Sequence, residues 1–162
     1  MVREFKEIIA TLQEAKEYNA FEKEHPKYYV AHGFTQLDKD LNESKEWQVG
    51  FHNPEKEDIA TFNTNPVQFH EFEKPFKKDD APIEELQSIN ELEDTATILD
   101  IVKETIKDKY PDERVRTYIV VIQMIKGIPT YNITAVTEKF AMIICKINAR
   151  TNINAPSTDS AK

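Results

Sequence analysis

Asp94-Thr-Ala-Thr-Ile-Leu-Asp-Ile-Val-Lys-Glu-Thr-Ile-Lys-Asp-Lys-Tyr110 is the stretch whose reading decides the fold. Ile98, Leu99, Val102 and Ile106 recur at three- and four-residue spacing, which puts them on one face of a helix. Asp94 or Thr95 supplies an N-cap. Tyr110-Pro111-Asp112 ends the helix, because the residue before a proline is driven out of the helical region. The chain then turns to β-branched apolar residues. Tyr118-Ile-Val-Val-Ile122 lies in a strand predicted over 115–125, whose few polar breaks imply that both of its faces are covered. Tyr131, Ile133 and Ala135 alternate with Asn132 and Thr134 in a second strand, and Met142-Ile-Ile-Cys-Lys-Ile147 falls in a third. The predicted unit is one helix and three antiparallel strands.

Working outward, the first half follows the same order. Phe5, Ile8, Ile9, Leu12 and Ala15 predict a helix over 2–18, stopped by His25-Pro26 at the latest. A strand is predicted over 28–37. Trp47, Val49 and Phe51 alternate with Gln48, Gly50 and His52, the turn residues 52–58 follow, and 59–63 returns as the second arm of a hairpin. A further strand after Pro66 carries Val67 and Phe69. Trp47, Val49 and Phe51 can be laid over Tyr131, Ile133 and Ala135, and Ile59 to Asn63 over Ile144 to Asn148, with length differences confined to loops. The expected fold class is therefore α+β: two tandem helix-plus-antiparallel-sheet units of αβββ type, with helices packed on a shared or continuous antiparallel sheet. The first unit spans 1–76 and the second 94–154. An acidic linker, 77–93, joins them, and Ile83, Leu86 and Ile89 predict a short helical turn within it. The small polar residues 155–162 are expected to form a disordered tail.

Composition narrows the function classes. At 162 residues, with 40% apolar and 31% charged residues, the chain can bury a full core. A net charge of -8 repels phosphate backbones, and the densest basic run, Lys74 with Lys77 and Lys78, is followed at once by Asp79 and Asp80; no nucleic-acid partner is expected. One cysteine, Cys145, allows neither an internal disulfide nor a multi-cysteine zinc site. The N-terminal residues carry charges through their apolar positions and lack the apolar core of a secretion signal, and no run is long enough for a membrane span. A cytoplasmic address without membrane contact is the expectation.

Ala96, Tyr110-Pro111-Asp112, Tyr131-Asn132-Ile133 and Ile147-Asn-Ala-Arg-Thr-Asn152 occupy the positions of a recognisable pattern: an alanine near a helix start, a Tyr-Pro pair at its end, a Tyr-x-Val-like strand, and a last strand closing on Val-Asp-Ala-x-Thr-Gly. In these residues the second half resembles the PepSY domain, a small cystatin-like module. Asn148 stands where that family has Asp, and Asn152 where it has Gly; asparagine tolerates the left-handed conformation such a glycine adopts. The resemblance implies a fold more than an activity. PepSY modules occur beside secreted peptidases and in membrane proteins, where an inhibitory or chaperone-like role is proposed; this chain shows neither neighbour.

Candidate chemistry is sparse. The four histidines make no i, i+4 pair and no metal-motif spacing, so no metal is expected. His52 and His70 are placed to meet across neighbouring strands beside Glu71 or Glu73, and His32 reads as a partly buried histidine. Three isolated glycines leave no phosphate-cradling loop, no Gly-x-Ser-x-Gly is present, and no cofactor is expected. Aromatic residues crowd the first half. Phe69, Phe72 and Phe76 are spaced by three and four, which breaks the period of a strand, so some are expected to be exposed, covered by the linker or buried against a partner. The sequence thus points to a non-catalytic binding or interaction protein, more an interaction module than an enzyme, that uses a sheet face or edge. It is expected to act as a homodimer or with a protein or peptide partner. The binding candidates are His32, Trp47, His52, Phe69, His70, Phe72 and Phe76. The alternative is a small-ligand carrier or unfamiliar enzyme with a pocket between helix and sheet, holding a histidine with a carboxylate beside it.

Overall fold

A computed structural model describes residues 1–74 and 82–150 and the backbone of 157–161. The chain runs through α1 (Phe5–Glu14), α2 (Lys16–Glu24), β1 (Tyr29–Asp38), β2 (Glu43–Asn53), β3 (Asp58–Thr64) and β4 (Val67–Glu73). After a single 3-10 turn (Ile89–Glu91) come α3 (Thr95–Lys109), β5 (Val115–Ile125), β6 (Ile128–Thr137), β7 (Met142–Asn148) and the short β8 (Ser157–Ala161). All strands join one antiparallel sheet in the order β4-β3-β2-β1-β5-β6-β7-β8.

The expected division into two tandem helix-plus-sheet units is overturned. β1 and β5 pair continuously from His32 opposite Gln123 to Asp38 opposite Thr117, at the middle of the sheet. Residues from all three helices and from strands on both sides of that ladder, from Val2 to Ala149, belong to one hydrophobic core. The physical reason is the cost of edges: two separate sheets would each leave a long edge of unpaired backbone, and pairing β1 with β5 removes both. β8, formed by 157–161, lies in the stretch expected to be a disordered tail; the rest of that stretch, 155, 156 and 162, falls outside the described residues.

The central strands send alternate residues to the helices. Trp47, Val49 and Phe51 in β2, Tyr118, Val120 and Ile122 in β5, and Tyr131, Ile133 and Ala135 in β6 are buried on that face. The helix predicted over 2–18 is in fact two, because Ala15 takes an extended conformation between them. That break lets α2 turn its Tyr18 and Phe21 onto Phe62, with Tyr18 also on Phe51. Gly33 admits the ring of Phe5: a β-carbon there would stand 2.2 Å from Phe5 Cε1. Phe5 in turn lies 5.3 Å from Trp47.

The start of α3 departs from expectation. Asp94 takes the N-cap position without a side-chain cap, and its carboxylate pairs with Lys6 Nζ at 3.1 Å. The first free N–H groups of α3, on Thr95 and Ala96, donate instead to the carboxylate of Glu4, brought from the far end of the chain. Tyr131 Oη donates to the carbonyl of Glu93 at 2.7 Å, and Trp47 Nε1 donates to that of Arg3 at 2.8 Å, so each of these rings pins the backbone just ahead of a helix.

Candidate functional site: the open face of the sheet

The helices cover one face of the sheet, and the strands' other residues line the opposite face. Two cross-strand rows run side by side there. Gln123 in β5 lies opposite His32 in β1, His32 opposite Gly50 in β2, and Gly50 opposite Thr61 in β3. In the next row Val121 lies opposite Phe34, Phe34 opposite Gln48, and Gln48 opposite Asn63. These rows floor a concavity of about 1100 Å³, at the upper end of what small-molecule sites occupy. A hollow of about 360 Å³ bounded by Lys45, Glu46 and Asn63 adjoins it and shares Phe34 and Gln48.

One wall of the concavity is the segment 82–84, and three hydrogen bonds fasten this part of the chain to the sheet. The Tyr29 hydroxyl donates to the Ile83 carbonyl at 2.8 Å, Leu86 N–H donates to Val30 at 2.8 Å, and Gly127 N–H donates to the Glu84 carboxylate at 3.1 Å. The second wall is the tip of the β5–β6 hairpin. Lys126 and Gly127 turn it in two residues with φ of 50° and 78°, the mirror-image turn that matches strand twist. Glu73 and Lys74 stand at the rim.

His32 is the most distinctive group of the floor. Its ring sits over Gly50, where a β-carbon would meet Cε1 at 2.2 Å and both ring nitrogens at 2.7 Å. Burial pushes its pKa below the usual value, so the imidazole is neutral at neutral pH. Neither ring nitrogen has a hydrogen-bond partner among the described residues, and the Gln123 amide and Thr61 hydroxyl also make no side-chain bond there. At the rim, burial and the neighbouring Glu71 raise the pKa of the Glu73 carboxyl.

The other sequence candidates sit elsewhere. Trp47 is fully buried on the helix face and is a core residue. His52 faces the open side but is only 2% exposed; it is enclosed by Tyr29 Oη at 2.6 Å from Nδ1 and by Glu57 at 3.4 Å from Nε2. His52 and His70 do not meet across neighbouring strands, because β3 lies between β2 and β4. His70 occupies a β-bulge and pairs with Glu71 at 3.3 Å. That bulge also corrects the reading of the phenylalanines. The extra residue restores the alternation, so Phe69 opposite Phe62 and Phe72 opposite Ala60 share the helix face of β4. There they meet Phe21, with His25 and Tyr28 against Phe72, while staying 37% and 45% exposed. Phe76 lies outside the described residues.

Apart from His32, the floor and walls were not among the candidates. Val121 had a readable signal, the unbroken apolar run from Tyr118 to Ile122; Gln48, Gln123 and Glu84 had none. The expected pocket between helix and sheet is filled core, and the concavity lies on the opposite side. Its histidine has no carboxylate in hydrogen-bond contact among the described residues. Cys145 is buried on the helix face, where burial raises its thiol pKa. Among the described residues no group of three or more His, Cys, Asp or Glu side chains is placed to hold a metal, and no helix is long and apolar enough to cross a membrane.

No family model matches the chain, and no curated protein matches it. Among solved structures, a Clostridium difficile 630 protein described as "a putative lipoprotein" aligns over 87% of this chain and 89% of its own, with a TM-score of 0.49 and 15% identity. At that level of likeness nothing about function transfers.

Proposed function

We propose that this chain is a non-catalytic binding protein whose ligand lies on the open face of the sheet, in the concavity floored by His32, Phe34, Gln48, Val121 and Gln123. The observation that carries the reading is His32: a half-buried imidazole without a protein partner, turned into a concave surface large enough for a small molecule. Its ring nitrogens make no hydrogen bond to the described residues and are not sealed from solvent, so they can donate to and accept from a ligand. Hydrogen bonds from Tyr29, Leu86 and Gly127 tie the segment around 82–86 to the sheet and to the hairpin tip, which favours a site organised ahead of binding. The PepSY-like resemblance of the second half belongs to the same proposal as a statement about fold, and it assigns no activity.

A second reading rests on the β4 edge. Phe69 and Phe72 are large, apolar and partly exposed on the outermost strand, which suits association with another chain. The bulge at His70 and the carboxylates of Glu71 and Glu73 blunt that edge, as strands that avoid pairing do. The open-face reading is therefore preferred.

The test uses Nile red, an uncharged dye that brightens in apolar surroundings. Binding that is abolished by Val121→Trp, which fills the floor, and unchanged by Phe72→Ser on the β4 edge supports the reading. Binding insensitive to Val121→Trp in a variant that keeps the wild-type circular dichroism defeats it.

A further inference from the structure

Resting on the open-face reading, we propose that the ligand is an uncharged amphipathic molecule. Its apolar body lies on Phe34 and Val121, and its hydrogen-bonding head, a hydroxyl or an amide, is held by His32 and Gln123.

Three observations select this chemistry. The first is the floor: Ala31, His32, Phe34, Gln48, Ile59, Thr61, Val121 and Gln123 include no Asp, Glu, Lys or Arg. An ionic head seated on the Gln123–His32–Thr61 row would lose water without gaining a counter-charge from that row; Lys45 and Glu46 line the adjoining hollow instead. The second is the rim, where among the described residues the carboxylates of Glu73 and Glu84 stand with the ammonium groups of Lys74 and Lys126. Glu84 is already engaged by the Gly127 N–H. The third is the polar row itself. Gln123, His32 and Thr61 cross the sheet in one line on either side of Gly50. A neutral imidazole offers one donor and one acceptor, and a primary amide offers both as well. A hydroxyl or amide head, itself donor and acceptor, satisfies such a pair; a carboxylate accepts only and an ammonium donates only. Burial, which keeps His32 neutral, acts in the same direction.

The apolar share of the site is equally specific. Phe34 and Val121 are directly opposed on neighbouring strands, and Ile125 and Met124 carry the surface to the hairpin tip. Ile83 faces them from the strap. Phe34 and Val121 lie on one side of the Gln123–His32 row and Ile125 on the other, so an apolar body resting on Phe34 and Val121 brings its polar end to that row.

The experiment compares glyceryl monolaurate, laurate and dodecylammonium, which share a chain and differ in the charge of the head, by isothermal titration below their micelle concentrations. The proposal expects the glyceryl ester to bind at least roughly tenfold tighter than either ion. His32→Ala should weaken it by roughly tenfold, the worth of one buried hydrogen bond, while His32→Gln, which retains a donor and an acceptor, recovers most of the loss. Equal affinity for the three, preference for either ion, an unaltered affinity in His32→Ala, or failure of all three to bind overturns the proposal. If Nile red still binds and is still blocked by Val121→Trp, those results leave the open face as the binding surface and remove only the assignment of the head group. If Val121→Trp does not block the dye, the underlying reading falls with it.

Discussion

The His32 imidazole occupies the space that a side chain at position 50 would take: a β-carbon on Gly50 would lie 2.2 Å from His32 Cε1. Glycine is ordinarily a weak strand residue, so its presence in the middle of β2 has a local reason. Gly33 on β1 does the same for Phe5 on the helix face. One glycine seats the core and the other seats the binding candidate.

Gly50→Ala should therefore destabilise the protein by about 1–3 kcal/mol, the usual cost of overpacking. Paired with His32→Ala, the same substitution should cost nothing or stabilise slightly, since alanine suits a strand better than glycine. Urea denaturation of the two single variants and the double variant gives the coupling directly. Additive effects would show that the two residues do not share space.

The pH dependence of stability follows from His32. Its folded-state pKa lies below the ordinary 6.5, so the unfolded chain takes up the proton first. Stability attributable to this group is complete above about 6.5 and is lost as pH falls from there toward the depressed folded-state value. Denaturation free energies at pH 7.5 and 5.5 should fall more steeply for the wild type than for His32→Gln, by up to about 1.4 kcal/mol per pH unit. Parallel pH profiles would remove the case for a desolvated imidazole.

Tyr29→Phe should loosen the strap. It removes the hydroxyl that joins the Ile83 carbonyl to His52 Nδ1 and leaves both without that partner, at a cost of about 1–3 kcal/mol. Amide hydrogen exchange at Leu86 and Gly127 should quicken, because their bonds to Val30 and Glu84 hold the same segment. Exchange that stays at wild-type rates would mean that the strap is held by other contacts.

Glu4→Ala should cost about 1 kcal/mol, the worth of a helix cap, although position 4 lies far in sequence from the helix concerned. The faster-exchanging amides should be those of Thr95 and Ala96. No change there would assign the cap to Asp94 after all.

These positions show why the site was harder to read than the fold. Strand identity rests on alternation, and Trp47, Val49, Phe51, Tyr131, Ile133 and Ala135 alternate without interruption. Their inward face is legible because each step of two returns to the same core. The bulge at His70 was not legible, since an inserted residue changes the period without changing composition; hence the spacing of Phe69, Phe72 and Phe76 read as unable to share one face, although Phe69 and Phe72 do share one and are both partly exposed. The glycine–histidine contact joins residues eighteen positions apart on adjacent strands, and only the pairing register brings them together. The unbroken run from Tyr118 to Ile122 implied two covered faces, whereas only the helix face is covered and Ile119 and Val121 stay partly exposed on the open one. The break at Ala15 and the capping of α3 by Glu4 depend on tertiary contacts, which local propensity does not carry.

The most direct measurement of the central claim is a backbone amide chemical-shift map of the full chain titrated with glyceryl monolaurate. Shifts concentrated on His32, Phe34, Gln48, Val121, Gln123 and Lys126 are the predicted result. Shifts concentrated on Phe69 and Phe72 at the β4 edge, or spread over the helices with the open face unmoved, would contradict it.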